Sequence, residues 1–286
     1  MPYQTIFHGG LFQDQVMVVT GGGSGIGRCT AHELASLGAH VVLVGRTEDR
    51  LRQVVDEIRD DGGRAAYRAL DIRDEEGVRS AVAAVVAEHG QIHALVNNAG
   101  GQFPAALAGI SGKGFETVLR TNLVGGFLMA RECYMQCMQR HGGAVVNLAA
   151  DMWRGMPGMG HSGAARAGMV NLTMTAAVEW APSGVRVNAV APGWIASSGL
   201  DSYSGPVRAI IPRLRESVPL KRLGTEAEVS AAICFLLSPA AAFITGVTLP
   251  VDGGAPLASH IWPMPDHDCS RAYEGFHRAR RPKVLE

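Results

Sequence analysis

The chain has 286 residues, is 47% hydrophobic and 18% charged, and sets 26 Lys and Arg against 26 Asp and Glu, a formal charge of +0 at pH 7. That apolar content excludes disorder, and the zero net charge supplies no long-range field to gather nucleic acid or an anionic membrane surface. Surface scaling buries roughly 70–75% of the unfolded surface at this mass, ample for one large core, so a single domain over 1–286 is expected.

Strand-like apolar runs appear at Val16–Thr20, His40–Val44, Ala65–Leu70, Ala94–Val96, Ala144–Leu148, Val185–Val190 and Val247–Val251. Longer amphipathic patterns separate them: Leu51, Val54, Val55 and Ile58 recur at helical spacing, as do Val78, Val82, Val85 and Val86. Continuously apolar strands are covered on both faces, and strand–helix–strand repetition favours right-handed crossovers. The expected fold class is therefore α/β, a Rossmann-type three-layer sandwich with a seven-stranded parallel sheet. Thr225-x-x-Glu228 reads as a capping box that opens a late helix. The regular pattern runs from about residue 11 to residue 254. Residues 255–286 read as a tail or edge cover whose basic end (Arg271, Arg278, Arg280, Arg281, Lys283) is expected to be solvated surface.

The longest apolar candidate, Ala231–Phe243, is broken by Ser238 and Pro239, so no membrane span is expected. The N-terminus lacks a basic stretch followed by an apolar one, and the five cysteines are odd in number and set mostly among apolar neighbours. A reduced, cytoplasmic protein is expected.

Thr20-Gly-Gly-Gly-Ser-Gly-Ile-Gly27 follows the first strand directly and opens a helix. Its glycines admit a pyrophosphate close to the backbone, and the helix N-terminus offers it free N–H groups. With the spacing Gly21-x-x-x-Gly25-x-Gly27, the turn resembles the T-G-x-x-x-G-x-G turn of the short-chain dehydrogenase/reductase family. Asp71 after the third strand, Asn97-Asn-Ala-Gly100 closing the fourth, Asn122 in the next long helix and Pro192-Gly193 ending the sixth match further marks of that family. The resemblance implies cofactor contacts at Gly21, Ser24, Gly25, Ile26, Gly27, Arg46, Asp71, Ile72, Asn98, Ala99, Gly100, Arg166, Pro192, Gly193, Ile195 and Ser197. At the end of the second strand an acidic residue would hold a ribose 2′-hydroxyl, but Gly45-Arg46 stands there. A guanidinium pairs with a 2′-phosphate through two parallel donors, which favours NADP(H) over NAD(H).

Most members of the family use a Tyr-x-x-x-Lys pair with a Ser in front of it. Fitting Ser162-Gly-Ala-Ala-Arg166 to that segment puts Ser162 in the tyrosine position and Arg166 in the lysine position, while Ala149 or Ala150 takes the place of the serine. A serine hydroxyl is a far weaker acid than a phenol and shorter, so ordinary carbonyl reduction is expected to be poor. Arg166 stays charged and reads as a clamp, and the Asn122 amide can hold a water or a backbone group. Asp151, just after the fifth strand, and His161, just before Arg166, are the candidate replacement proton donors, since strand C-terminal ends face the ligand crevice. Their plainer accounts are a loop cap and a packing histidine.

His161-Ser-Gly-Ala-Ala-Arg166, together with the T-G-G-G-S-G-I-G turn, Gly100-Gly-Gln-Phe103 and Val178-Glu-Trp180, is similar to the 2,4-dienoyl-CoA reductase branch, which lacks the Tyr-x-x-x-Lys pair and uses NADPH. By spacing from Arg166, Asp151 falls where the mitochondrial type of that branch places its proton-donating tyrosine. The resemblance implies reduction of an unsaturated acyl-CoA-like thioester. The catalytic set is Asn122, Asp151, His161, Ser162 and Arg166, and the assembly a homo-oligomer, dimer or homotetramer. An alcohol or ketone dehydrogenase and a noncatalytic nucleotide-binding scaffold are the competing readings.

Cys133 and Cys137, one helical turn apart, and Asp266, His267, Asp268 and Cys269 with His260 lack the spacing of a structural zinc site, so no metal is expected. Met152–Met159 with Trp153 is expected either to line an acyl pocket or to fill core, and residues 197–222 resemble the family's mobile substrate loop.

Overall fold

Each expected strand is present, with ends moved by one or two residues: β1 (Val16–Thr20), β2 (His40–Gly45), β3 (Arg64–Ala69), β4 (Ala94–Asn97), β5 (Gly143–Leu148), β6 (Val185–Pro192) and β7 (Thr248–Val251). The computed structural model describes residues 2–258 and 261–286, so His260 lies outside the described residues. The seven strands pair in parallel in the order β3-β2-β1-β4-β5-β6-β7. The strand order reverses between β1 and β4, and a crevice at their C-terminal ends is the dictated ligand position.

Two helical layers cover the sheet. On one face, α1 (Gly25–Ser36), α2 (Glu48–Asp60) and the late helix Glu226–Leu237 bury Leu34, Leu51, Val54, Ile58, Val229 and Ile233. On the other, α3 (Glu75–His89) buries Val78, Val82 and Val85, beside a long helical segment and the helix Gly160–Glu179. The long segment comprises α4 (Gly112–Leu119), a π-helical turn Arg120–Val124, α5 (Gly125–Cys133), a second π-helical stretch Tyr134–Met138 and α6 (Gln139–His141). Glycines permit its close approach: a Cβ on Gly125 would lie 2.6 Å from Ile72 Cδ1, and one on Gly126 2.6 Å from Met169 Cε. The chain continues through α7 (Gly160–Glu179), α8 (Gly205–Ile210) in the expected substrate loop, and α9 (Glu226–Leu237), which begins with the expected Thr225/Glu228 capping box.

A buried polar network ties the middle of the sheet to its helices. Asn97 Nδ2 donates to Gly126 O and to Asn147 Oδ1, both at 2.9 Å, and Asn147 Nδ2 donates to Thr173 Oγ1 at 2.9 Å. Neighbouring strands and the helices that carry Asn122 and Arg166 are thereby held in one register, because a buried amide left unpaired costs its desolvation. Cys133 and Cys137 are buried free thiols, and Ile92 N–H donates to Cys137 Sγ at 3.1 Å.

The basic end of the tail is not simply solvated. Arg278 and His277 both hydrogen-bond the Asp61 carboxylate, and Phe276 is buried against Tyr3, His32 and the Arg28 guanidinium. Sequence periodicity carries no record of this docking because the tail has no regular secondary structure over these residues.

Asn147→Ala removes the central member of the amide network and takes away the acceptor for an Asn97 donor and the donor to Thr173 Oγ1. Unfolding in urea is expected to show a loss of about 3 kcal/mol, and an unchanged midpoint would contradict the role given to the network.

Candidate active site

The Gly-rich turn is shaped by contacts from the end of β4. Thr20 Oγ1 accepts from Asn98 N–H at 3.0 Å and Ala99 N–H at 2.9 Å, and Asn98 Nδ2 donates to Thr20 O at 2.9 Å. Gly21 is at φ +66°, where a Cβ would lie 2.9 Å from Ala99 Cα, so the turn seats directly on this loop. Gly25, at φ +56°, faces open space: the nearest group to a Cβ there is Glu226 Oε1 at 3.9 Å. Ser24 N-caps α1 without a side-chain cap bond, which leaves its hydroxyl and the first-turn N–H groups available to an anion. This cradle fits a dinucleotide diphosphate.

The remaining expected cofactor positions surround that cradle. Arg46 is exposed at the end of β2 with no ion pair among the described residues. The Asp71 carboxylate is held by Arg73, which lowers its pKa, with Arg46 adding to the same effect. Asn98 Nδ2 donates to Thr20 O and Gly21 O, so its side chain positions the turn. Ile26 and Ala99 pack partly buried at the turn and the β4 loop, and Ile72 is buried under Gly125. Pro192 and Gly193 close β6 against Val251 and Asp252. Ile195 is bridged to Gly224, and Ser197 caps the short turn Ser198–Ser202.

On the other side, the loop after β4 gathers the catalytic candidates. Asn122 sits in the π-helical turn, and its Oδ1 accepts from Gly101 N–H at 2.8 Å. That bond fixes the amide orientation and leaves Nδ2 a buried donor without a partner. Arg166 Nη1 donates to Leu148 O at 2.5 Å, and its other terminal nitrogen occupies the space where a Gly100 Cβ would stand. Enclosure by protein lowers the Arg166 pKa to about 10, still charged at neutral pH. Ser162 Oγ donates to Gln102 Oε1 at 2.7 Å. Gln102 Nε2 in turn donates to the Tyr203 hydroxyl at 2.8 Å.

Tyr203 stands outside the expected catalytic set, but it is the tyrosine that sequence reading singles out as able to undo the altered proton route if it stood over the nicotinamide. A phenol does reach the site, from the substrate loop and not from the family position. Sequence spacing carries no signal for it, because the contact spans 101 residues. His161 is fully buried, with Phe103 edge-on at 4.3 Å between ring centroids. Its Nδ1 accepts from Ser162 N–H at 2.8 Å, which places the ring hydrogen on Nε2, a buried donor without a partner. His161 is thus more than a satisfied packing residue.

Asp151 stands apart from this cluster. Its N–H donates to Pro192 O at 3.1 Å, and its carboxyl pKa is raised, first by burial and then by Asp252. Ala149 is buried and Ala150 partly buried, so no hydroxyl stands in the family's serine position. Met159 is buried, Met156 packs on Gly163 and Trp153 is exposed, so the Met-rich loop divides between filling and lining.

A family model described as enoyl-(acyl carrier protein) reductase matches residues 21–256. The chain belongs to the short-chain dehydrogenase/reductase family. It is 37% identical over 261 residues to the peroxisomal 2,4-dienoyl-CoA reductase of Danio rerio, covering 90% of this chain and 86% of that one. Among solved structures, the citronellol catabolism dehydrogenase AtuB of Pseudomonas aeruginosa PAO1 is 62% identical with TM-score 0.81, covering 88% of this chain and 99% of that one. An actinorhodin polyketide ketoreductase solved with NADPH is 30% identical with TM-score 0.79, covering 87% and 99%. The short-chain dehydrogenase/reductase assignment makes the protein an oxidoreductase of a nucleotide-binding family.

Glu226, 8% exposed at the start of α9, has its pKa raised to about 7 by burial, with Arg28 opposing the shift. The folded chain therefore binds this proton more tightly than the unfolded chain, and stability falls as pH rises from about 4.5 to 7. Glu226→Gln is expected to gain up to about 3 kcal/mol at pH 8 and little at pH 4 when denaturation midpoints are compared. An equal effect at both pH values would contradict the assignment.

Proposed function

We propose that the protein is an NADPH-dependent reductase of an unsaturated acyl-CoA-like thioester, working by conjugate reduction. The observation that carries this reading is the pair at Gly100: Arg166, whose Nη2 fills the space of a Gly100 Cβ, and Asn122, whose Oδ1 faces that space and whose Nδ2 is a buried donor without a partner among the described residues, with Ser162 bonded to Gln102 nearby in the chain fold. Such a set stabilises an oxygen that gains negative charge but is a poor source of a proton for it. When bound, the nicotinamide cofactor supplies a hydride. Asn122 and Arg166 hold the thioester oxygen as charge moves onto it from the conjugated double bonds, while the Ser162 hydroxyl is committed to Gln102 Oε1. Proton delivery then goes to carbon, and the Asp151 carboxyl, whose pKa is raised by burial and by Asp252, is the proposed acid. Solvent reprotonates it after turnover.

Arg46 is the proposed 2′-phosphate partner and the basis for NADP(H). The acyl-CoA-like substrate class is supported by the name of the Danio rerio relative. A homo-oligomer, dimer or tetramer, is supported by exposed Val124 at the end of the π-helical turn, Phe127 on α5 and Met174 and Val178 on α7, an apolar face that a second copy would cover. No helix among the described residues is long and apolar enough to cross a membrane. The buried free thiols support a reduced, cytoplasmic setting. A second reading, alcohol oxidation or ketone reduction, is favoured by Tyr203 in the site and by the name of the Pseudomonas aeruginosa neighbour.

Oxidation of NADPH followed with 2,4-dienoyl-CoA, enoyl-CoA and a ketone panel separates these readings. Turnover is expected on the dienoyl thioester and to fall about 100-fold in Asp151→Asn, the size of a lost general acid. In the wild type, kcat is expected to decline as pH rises through the raised Asp151 pKa, and the variant is expected to lose that limb. Ketone turnover abolished by Tyr203→Phe and untouched by Asp151→Asn would establish the second reading instead. Arg46→Ala is expected to raise the Kd for NADPH at least tenfold with little change for NADH, and equal effects on both would contradict the 2′-phosphate role.

A further inference from the structure

The C-terminal tail runs a defined course. Arg222 and Thr225 hold it at Ser270, Arg271 and Tyr273, and Gly275 O accepts from Gln4 N–H. The Arg278 side chain clamps Asp61, while its carbonyl oxygen accepts from Arg28 Nη1 at 3.1 Å, in the first turns of α1. Five residues later, Lys283 N–H and Val284 N–H donate to the two oxygens of Asp201, at 3.1 and 3.0 Å. Asp201 lies in the substrate loop, and its carboxylate caps the short turn Lys283–Leu285. Residues 279–282 thus bridge from the start of the nucleotide-binding helix to the loop expected to close over substrate.

Beneath that bridge is a cavity of about 850 Å³. Ala196, between Ile195 and Ser197, and Glu226, beside Gly25, form its inner side, and Arg280, Arg281 and Pro282 wall it from outside. Arg280 and Arg281 are exposed and have no ion pair or hydrogen bond among the described residues. Pro282 between them and Asp201 is buried, which pins the strand of chain that carries the two guanidinium groups. The cavity meets the anion cradle at Glu226, the nearest group to a Cβ on Gly25, and although Glu226, Glu274 and Glu286 also line it, two arginines unpaired among the described residues on its wall fit a diphosphate.

We propose that residues 270–286 form a strap over the cofactor's diphosphate, in which Arg280 and Arg281 bind the phosphates and Asp201 latches the substrate loop to the strap. The proposal rests on the cofactor reading above and is independent of the substrate assigned there. Closure of the strap and of the substrate loop is then one event: the cofactor leaves only after the contacts of Lys283 and Val284 with Asp201 have opened. Arg280 and Arg281 bind through charge-assisted hydrogen bonds and leave the reacting atoms to the residues around Gly100.

The test uses the full chain and reads binding, so absence of dienoyl-CoA turnover leaves it intact. NADPH and NADH are titrated by nucleotide fluorescence, with dissociation followed by stopped flow. The doubly substituted Arg280→Ala, Arg281→Ala protein is expected to bind NADPH and NADH about tenfold more weakly, because both carry the diphosphate. Asp201→Ala is expected to speed release of both. Saturating NADPH is expected to slow tryptic cleavage after Arg280 in the wild type. Affinity and release within twofold of wild type in both variants, or cleavage indifferent to NADPH, would overturn the strap. Failure of the wild type to bind either nucleotide would overturn the cofactor reading and the strap together.

Discussion

The loop that leaves β4, residues 98–103, is the constraint on which the site depends. Its first N–H groups are taken by the Thr20 hydroxyl, which fixes the Gly-rich turn. Its middle glycines leave room for Arg166 and donate to Asn122, and its last polar side chain, Gln102, joins Ser162 to Tyr203. One short segment therefore sets the separation between cofactor cradle and catalytic donors. The Asn97–Asn147–Thr173 network holds that segment from below, within the sheet.

Under the proposed conjugate reduction, this arrangement would let a member of a tyrosine-dependent family work with Ser162 in the usual position. In alcohol and ketone chemistry the acid must meet the oxygen, so its replacement by serine is damaging. In conjugate reduction the oxygen needs only stabilisation, and the proton goes to carbon from another direction. The geometry separates these duties: donors surround Gly100, while Asp151 lies at the ends of β5 and β6 beside Asp252. Tyr203, on a loop that the strap latches through Asp201, enters from a third direction.

Local chemistry made much of this legible from sequence. The strands are apolar runs bounded by glycine and polar residues, and each was readable to within two positions. The Thr225–Glu228 capping box and the amphipathic helices follow from spacing alone. The loss of the phenol at Ser162 was likewise visible, because position within a short segment defines it. What escaped depends on contacts between distant parts of an irregular chain. Tyr203 meets Gln102 across the substrate loop, and the tail docks through Phe276, Arg278 and main-chain N–H groups, none of which has a periodic signature. Asn98 and Asp71 also carry contacts that residue type does not announce, with the Asn98 amide on the Gly-rich turn and the Asp71 carboxylate on Arg73.

The separation of oxygen stabilisation from proton delivery is tested most directly by isotope placement. Reduction of a 2,4-dienoyl-CoA by NADPH in deuterium oxide is to be followed by mass spectrometry and NMR of the product. The account requires one solvent deuterium fixed on carbon beside the hydride taken from NADPH. A reduced product carrying no carbon-bound solvent deuterium, its new proton only on an exchangeable oxygen, would contradict it.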